Sequence, residues 1–238
     1  MKQETIYGVR PVIEALRSRR REVFEVLDAA GNRGVAEAAA AAGVPVKKLP
    51  RTRVDEVVHG AVHQGVAARV RPYPYSSLDE ILVAPESLIL VLDGVTDPRN
   101  LGAVLRAADG AGVSGVVIPK DRAVSVTAVA VKASAGASEH VPVAREMNLR
   151  RAIDRVKEAG VWVYAAEVGG TTYTELDLTE PVALVLGSEG RGVRRLVREG
   201  CDGAVSIPML GGIGSLNVSV AAAVLLYEAR RQQGWRRT

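Results

Sequence analysis

Apolar runs of strand length recur along the chain from residue 88 to residue 208, with helix-patterned segments between them. That alternation restricts the possible folds more than any other feature. Leu88-Ile-Leu-Val-Leu, Gly115-Val-Val-Ile-Pro, Val161-Trp-Val-Tyr-Ala, Pro181-Val-Ala-Leu-Val-Leu and Ala204-Val-Ser-Ile-Pro read as strands. The first is apolar at every position, as a strand buried on both faces requires. Asp97 supplies an N-cap and Pro98 a first-turn proline for a helix over about 101–110. Ala- and Val-rich sequence predicts a helix around 125–136, followed by helices near 148–159 and from about Asn217 to Gln232. The pattern predicts an α/β fold with a parallel sheet and helices on both faces.

The sequence before this region differs. Arg71-Pro-Tyr-Pro-Tyr-Ser-Ser breaks the pattern, because Pro72 and Pro74 favour extended chain. The reading is therefore a first domain over 1–72, a linker over 73–87 and a second domain over 88–238. The first domain reads as small α/β: a helix from Gly8, a strand over Val23–Leu27, a helix over Val35–Ala42 stopped by Gly43, a strand over Val46–Leu49, a helix near Val54–Val58 and a strand over Gly65–Val70. Residues 1–72 carry 13 Lys and Arg against 8 Asp and Glu, while residues 73–238 carry 18 against 19. A basic module beside a near-neutral one suggests a polyanion partner for the first. Arg17, Arg19, Arg20 and Arg21 crowd together there, and Lys47, Lys48, Arg51 and Arg53 form a second group. Either group could contact phosphate or simply be solvated.

Composition removes several classes. Aromatic residues make up 4% of the chain, with one Phe, so a binder that works by stacking bases on aromatic platforms is disfavoured. The single cysteine, Cys201, can form neither an internal disulfide nor a Cys-rich zinc site, which suits a reducing, cytoplasmic setting. Residues 1–10 show no apolar signal region, and the longest apolar run, 218–227, is too short to span a membrane. His59 and His63 are four apart, but no Cys lies nearby. Structural or RNA-contacting roles fit them better than a metal, and no metal is expected.

Ligands in open α/β sheets bind beyond the carboxyl ends of strands, and three such ends carry unusual residues. The first, Leu92-Asp-Gly-Val-Thr-Asp-Pro-Arg-Asn-Leu-Gly-Ala-Val-Leu-Arg, places Asn100 at a helix start and Arg106 within an otherwise apolar helix. Arg106 reads equally as a functional residue, as a solvated one or as a partner of Asp109 at i+3; Asn100 by itself is an ordinary cap or turn residue. The second, Val185-Leu-Gly-Ser-Glu-Gly-Arg-Gly-Val, spaces its glycines as G-x-x-G-x-G, which is neither a dinucleotide fingerprint nor a phosphate loop. Its Glu189 either meets a ligand or is solvated in a turn. The third, Ile207-Pro-Met-Leu-Gly-Gly-Ile-Gly-Ser-Leu-Asn-Val-Ser-Val, is too apolar for a plain surface loop and suits the rim of a pocket for a partly apolar cofactor. Ser215 and Asn217 singly read as N-caps.

The three segments in this order resemble the signature motifs of the SpoU (TrmH) family of RNA ribose 2′-O-methyltransferases, a branch of the SPOUT superfamily. Ile6-Tyr-Gly-Val-Arg-Pro-Val and Gly60-Ala-Val-His-Gln-Gly-Val-Ala-Ala-Arg-Val are similar to the RNA-binding domain of the subgroup that methylates a guanosine in the peptidyl-transferase loop of 23S rRNA. The resemblance covers the whole chain. It implies an L30e-like first domain, a second domain with a C-terminal trefoil knot, S-adenosylmethionine as cofactor, an RNA substrate and a homodimer. It assigns Asn100, Arg106, Glu189, Ser215 and Asn217 to catalysis, and the backbone near Gly187, Ile207 and Leu216 to the cofactor. Arg17, Arg19, Arg20, Arg21, Lys47, Lys48, Arg51 and His63 are then candidate RNA contacts. Arginine stays protonated in proteins, so Arg106 is expected to act as a cation rather than as a base. A tRNA target, a resistance-conferring rRNA target and a non-catalytic RNA-binding protein remain as alternatives.

Overall fold

A computed structural model of the chain describes residues 3–83, 87–188 and 190–235. The described residues form two sheets. The first combines β1 (Glu4–Tyr7), β2 (Val23–Asp28), β3 (Val46–Lys48) and β4 (Val66–Val70) in the order β1-β4-β2-β3, with α1 (Val9–Ser18), α2 (Arg33–Ala42) and α3 (Arg51–Val57) between them. β4 runs antiparallel to β1 and β2, and β3 runs parallel to β2. Gly43 ends α2 in the left-handed conformation and returns its N–H to Ala40, as its position in the sequence predicts.

The second sheet is parallel throughout, with order β10-β8-β9-β5-β6-β7. After α4 (Leu78–Leu82), its elements are β5 (Leu88–Asp93), α5 (Pro98–Gly110), β6 (Gly115–Pro119), α6 (Ala128–Ala133), β7 (Val143–Glu146), α7 (Leu149–Glu158), β8 (Trp162–Thr172), β9 (Val182–Gly187), α8 (Arg195–Arg198), β10 (Gly203–Ser206) and α9 (Val218–Gln232). Every residue of β5 and β6 is buried. α5, α6 and α9 cover one face and α4 and α7 the other. Asp97 caps α5 through the N–H of Arg99, and Pro98 takes its first position.

Several elements lie outside the sequence expectation. β7 was not foreseen, because it is short and only Val143 and Ala144 of it are buried. β8 continues to Thr172, well past the apolar run, because β10 pairs with its polar end across a register shift at Ala204/Val205. The expected linker, 73–87, is largely packed structure. Tyr73 is buried with its hydroxyl 3.0 and 3.1 Å from the carbonyls of Ser138 and Val141, Ser76 bridges to Ala144, and α4 buries Leu78 and Ile81. The prolines do extend the chain at 72–74, but the apolar side chains after them have a sheet face to cover.

The two sheets meet at a joint that withdraws Arg21 from the expected RNA contacts. Arg21 is 5% exposed and Glu139 1% exposed. The Arg21 Nε donates to Glu139 Oε2 at 3.1 Å, and its Nη2 pairs with Oε1. Around this pair, Glu14 of α1 meets His140 at 3.0 Å and Lys132 donates to Gln64 at 2.6 Å. Gly136, at φ +92°, lets α1 approach so closely that a Cβ there would lie 2.8 Å from that of Glu14.

Candidate active site

The carboxyl edge of the second sheet holds a cavity of about 350 Å³. All three singled-out segments reach this edge. Gly187, Ser188, Gly190 and Gly192 form one wall; Ile207, Met209, Ser215 and Leu216 form another; Ala166 to Val168 in the middle of β8 complete it. The expected cofactor contacts Gly187, Ile207 and Leu216 are therefore brought together, with Ser215 beside them.

The glycine spacing has a local cause. The chain turns back on itself at 188–192, with Gly192 N–H donating to the Ser188 carbonyl at 2.9 Å, and both Gly190 and Gly192 have positive φ. Gly187 lies so near Gly192 and Val193 that any side chain there would overlap backbone. Glu189, the expected carboxylate of this loop, lies outside the described residues.

Asp93 holds the loop from below, a role the sequence reading did not give it. It ends β5 opposite Gly187 and its side chain is fully buried. Its carboxylate accepts the Arg194 backbone N–H at 2.8 Å and the Arg194 Nε at 2.7 Å. An acid directly after an unbroken apolar run was the available signal, since a buried carboxylate needs donors.

Asn100 and Asn217 converge from different segments. Asn217 Nδ2 donates to Asn100 Oδ1 at 3.1 Å, while its Oδ1 caps α9 through Ser219 N–H at 2.9 Å. Asn217 is thus both the cap that sequence suggests and a bridge to the first motif. Arg106 lies six residues further along α5, about 9 Å of helix rise. It is exposed, does not line the cavity and has no ion pair among the described residues, so the suggested link to Asp109 is not made.

Among the expected RNA contacts, Lys47, Lys48, Arg51, Arg17 and Arg19 are exposed. Arg20 is half-buried, donating to Ser76 Oγ at 2.9 Å. His63 is buried, with Nε2 2.7 Å from Asp55 and Nδ1 accepting from Gly65 N–H, so it serves the loop rather than the surface.

The cavity suits a partly apolar, partly charged small molecule. Leu186, Val205 and Val218 give it an apolar floor, the glycines expose main-chain groups, and Glu167, Ser188 and Ser215 add polar ones. Its volume is in the range of ligand pockets, about 300–1,000 Å³.

Comparison with known proteins agrees with this geometry. The SpoU rRNA Methylase family model matches residues 87–227, and the model for RNA 2′-O ribose methyltransferase substrate binding matches residues 5–76. The 23S rRNA (guanosine-2′-O-)-methyltransferase RlmB of Photorhabdus laumondii is 44% identical, over 97% of this chain and 98% of its own length. The AdoMet-bound SpoU methyltransferase AviRb of Streptomyces viridochromogenes superposes with a TM-score of 0.85 at 27% identity, covering 97% of this chain and 90% of that one. An AdoMet-bound rRNA methyltransferase of Sinorhizobium meliloti gives 0.82 at 28% identity, covering 96% and 87%. With its three motifs gathered at one strand edge and both of its parts matched, the chain belongs to the SpoU rRNA methylase family, whose members use S-adenosylmethionine.

Proposed function

We propose that this chain methylates a ribose 2′-hydroxyl of large-subunit ribosomal RNA, on a guanosine of the peptidyl-transferase region. The observation that carries the reading is the cavity where the second and third motifs meet, with Asn217 tying the first motif to its edge. The glycine-lined wall and Leu216 would hold the cofactor by main-chain groups, and the apolar floor would cover its less polar parts. When bound, S-adenosylmethionine supplies an electrophilic methyl group. Asn100, Ser215 and Asn217 stand at the mouth, where they can orient a ribose; Glu189 and Arg106 are proposed as the remaining catalytic groups. Arg106 would act as a fixed cation that holds the target phosphate and stabilises negative charge developing on the ribose oxygen.

Homodimerisation belongs to this reading. Arg106 is exposed and does not line its own cavity, and α9, which packs on α5, exposes Val220 and Tyr227, with Trp235 packed edge-on against Tyr227. Such an apolar stripe suits a second copy of the chain, which would set Arg106 near the interface. The C-terminal trefoil knot that the resemblance implies is part of the same proposal. A site of action in the cytoplasm follows from the proposed substrate.

The test is incubation with labelled S-adenosylmethionine and, separately, unmodified 23S rRNA and bulk tRNA. A labelled 2′-oxygen in the peptidyl-transferase region is the expected result. Label confined to tRNA would overturn the target, and RNA binding without any transfer would favour the non-catalytic reading.

A further inference from the structure

The parallel sheet places a row of cations along the same edge as the cavity, and the row continues to the N-terminal module. Across the order β9-β5-β6-β7, Arg99 follows β5, Lys120 and Arg122 follow β6, and Arg145 lies at the end of β7. Ser76 pairs beside β7 at Ala144, and Arg20 of the N-terminal module donates to Ser76 Oγ. The Arg145 guanidinium lies 4.9 Å above the Tyr75 ring and donates to the Lys120 carbonyl at 2.8 Å. Val124 N–H donates to the Val95 carbonyl at 3.0 Å, which sets the 120–122 loop beside the start of α5. Tyr75 and Tyr73 meet edge to face, and Arg20 lies over Tyr73.

These cations are not spent on carboxylates. Many surface arginines of this chain sit in ion pairs, among them Arg33, Arg53, Arg150, Arg195 and Arg198. None of Arg20, Arg99, Lys120, Arg122 and Arg145 has an ion pair among the described residues, and Arg145 Nε is buried with no hydrogen-bond partner. The acids nearby are Asp97, which caps α5, Glu146, which faces Arg155 at 3.6 Å, and the exposed Asp121. Neighbouring strands are about 4.8 Å apart, so β9 to β7 spans about 14 Å, enough for a few nucleotides.

We propose that this row is the track along which the RNA backbone runs from the N-terminal module to the cavity, with Lys120, Arg122 and Arg145 as phosphate contacts. The proposal rests on the methyltransferase reading for its substrate. It moves the main grip from the basic clusters of the N-terminal module to the catalytic sheet. Fixed, unpaired cations spaced along an edge suit a polyanion, and phosphate contacts position a strand without reading its sequence.

The experiment measures binding of a 23S rRNA fragment by the full-length protein against salt, with cofactor affinity and methyl transfer measured alongside. Lys120→Gln/Arg122→Gln alters only exposed side chains; adding Arg145→Gln completes the set, and Arg151→Gln on α7 serves as control. Each lost phosphate contact lowers the salt slope by about 0.7 for single-stranded RNA. Between about 50 and 200 mM salt the unaltered protein should therefore lose about 7-fold more affinity than the double variant and about 20-fold more than the triple. Cofactor affinity should not move, and the Michaelis constant for RNA should rise more than the turnover number falls. Unchanged slopes in the double and triple variants, with transfer intact in the unaltered protein, would overturn the track alone. No RNA binding by the unaltered protein would overturn both the track and the function.

Discussion

Three side chains each give a measurable expectation. Arg106→Lys should leave cofactor affinity unchanged while single-turnover transfer falls by about 10²–10⁴-fold, because an ammonium lacks the planar fork of a guanidinium. A near-normal rate would remove Arg106 from catalysis. Asp93→Asn should weaken cofactor binding in calorimetry and lower stability by about 1–3 kcal/mol, because the Arg194 N–H and guanidinium lose their charged acceptor. Burial pushes the Cys201 thiol up to about 11, with Arg198 partly opposing. The folded protein should therefore react with a thiol reagent at pH 8 about 100-fold more slowly than the unfolded chain, since only the thiolate attacks. A raised thiol pKa also means that this contribution to stability is present below the ordinary value near 9 and is lost as pH climbs through 11. Asn217 caps α9, as sequence suggests, and Leu216 lines the cavity, because their neighbours in the chain define a loop entering a helix. Arg21 is not legible in the same way, because a basic residue looks the same in sequence whether its partner is phosphate or a carboxylate 118 positions away; His63 takes the structural one of the two roles that its sequence context leaves open.

At the scale of elements, α5 joins the first motif to the rest of the sheet's helical face. It bears Asn100 and Arg106, and it packs on α6 and α9. Gly102 makes the first contact possible, since a Cβ there would lie 2.5 Å from the Ala130 carbonyl and from the Ala133 methyl. Gly102→Ala should cost about 1–3 kcal/mol through overpacking, despite raising helix propensity, and chemical denaturation would show it. A gain in stability would mean that α6 yields freely. Arg230 fastens α9 to the far end of α5: it is buried and donates from Nε to the Ala111 carbonyl at 2.7 Å. That is a C-terminal helix charge used by a neighbouring helix.

At the scale of the molecule, the buried Arg21–Glu139 pair is one of the contacts that join the two sheets. Glu139→Ala leaves a buried guanidinium without its main counter-charge, with only Glu4 at 3.7 Å, and should lower the urea midpoint by the equivalent of about 3–5 kcal/mol. The double change Arg21→Met/Glu139→Leu should recover most of that loss, because an apolar pair of similar volume avoids the desolvation cost. An unchanged midpoint for Glu139→Ala would show that the joint contributes nothing to folding. A TM-score of 0.85 across 97% of the chain against AviRb fits one shared arrangement of both parts.

The sequence by itself determined the parallel sheet, the boundaries of its long helices and the three segments that line its carboxyl edge. These follow from local periodicity, from caps and from glycines at turns, all of which act over a few residues. Only the tertiary structure decided which polar residues are spent on the fold. Arg21, His63, Asp93 and Arg230 each find partners far away in the chain or across a loop, and β7 exists because β6 offers it an edge. Strand order also made the cationic row, since Arg20, Arg99, Lys120, Arg122 and Arg145 lie far apart in sequence and share one edge only after the sheet has formed. Charge and burial are properties of neighbours in space, and the sequence shows neighbours along the chain.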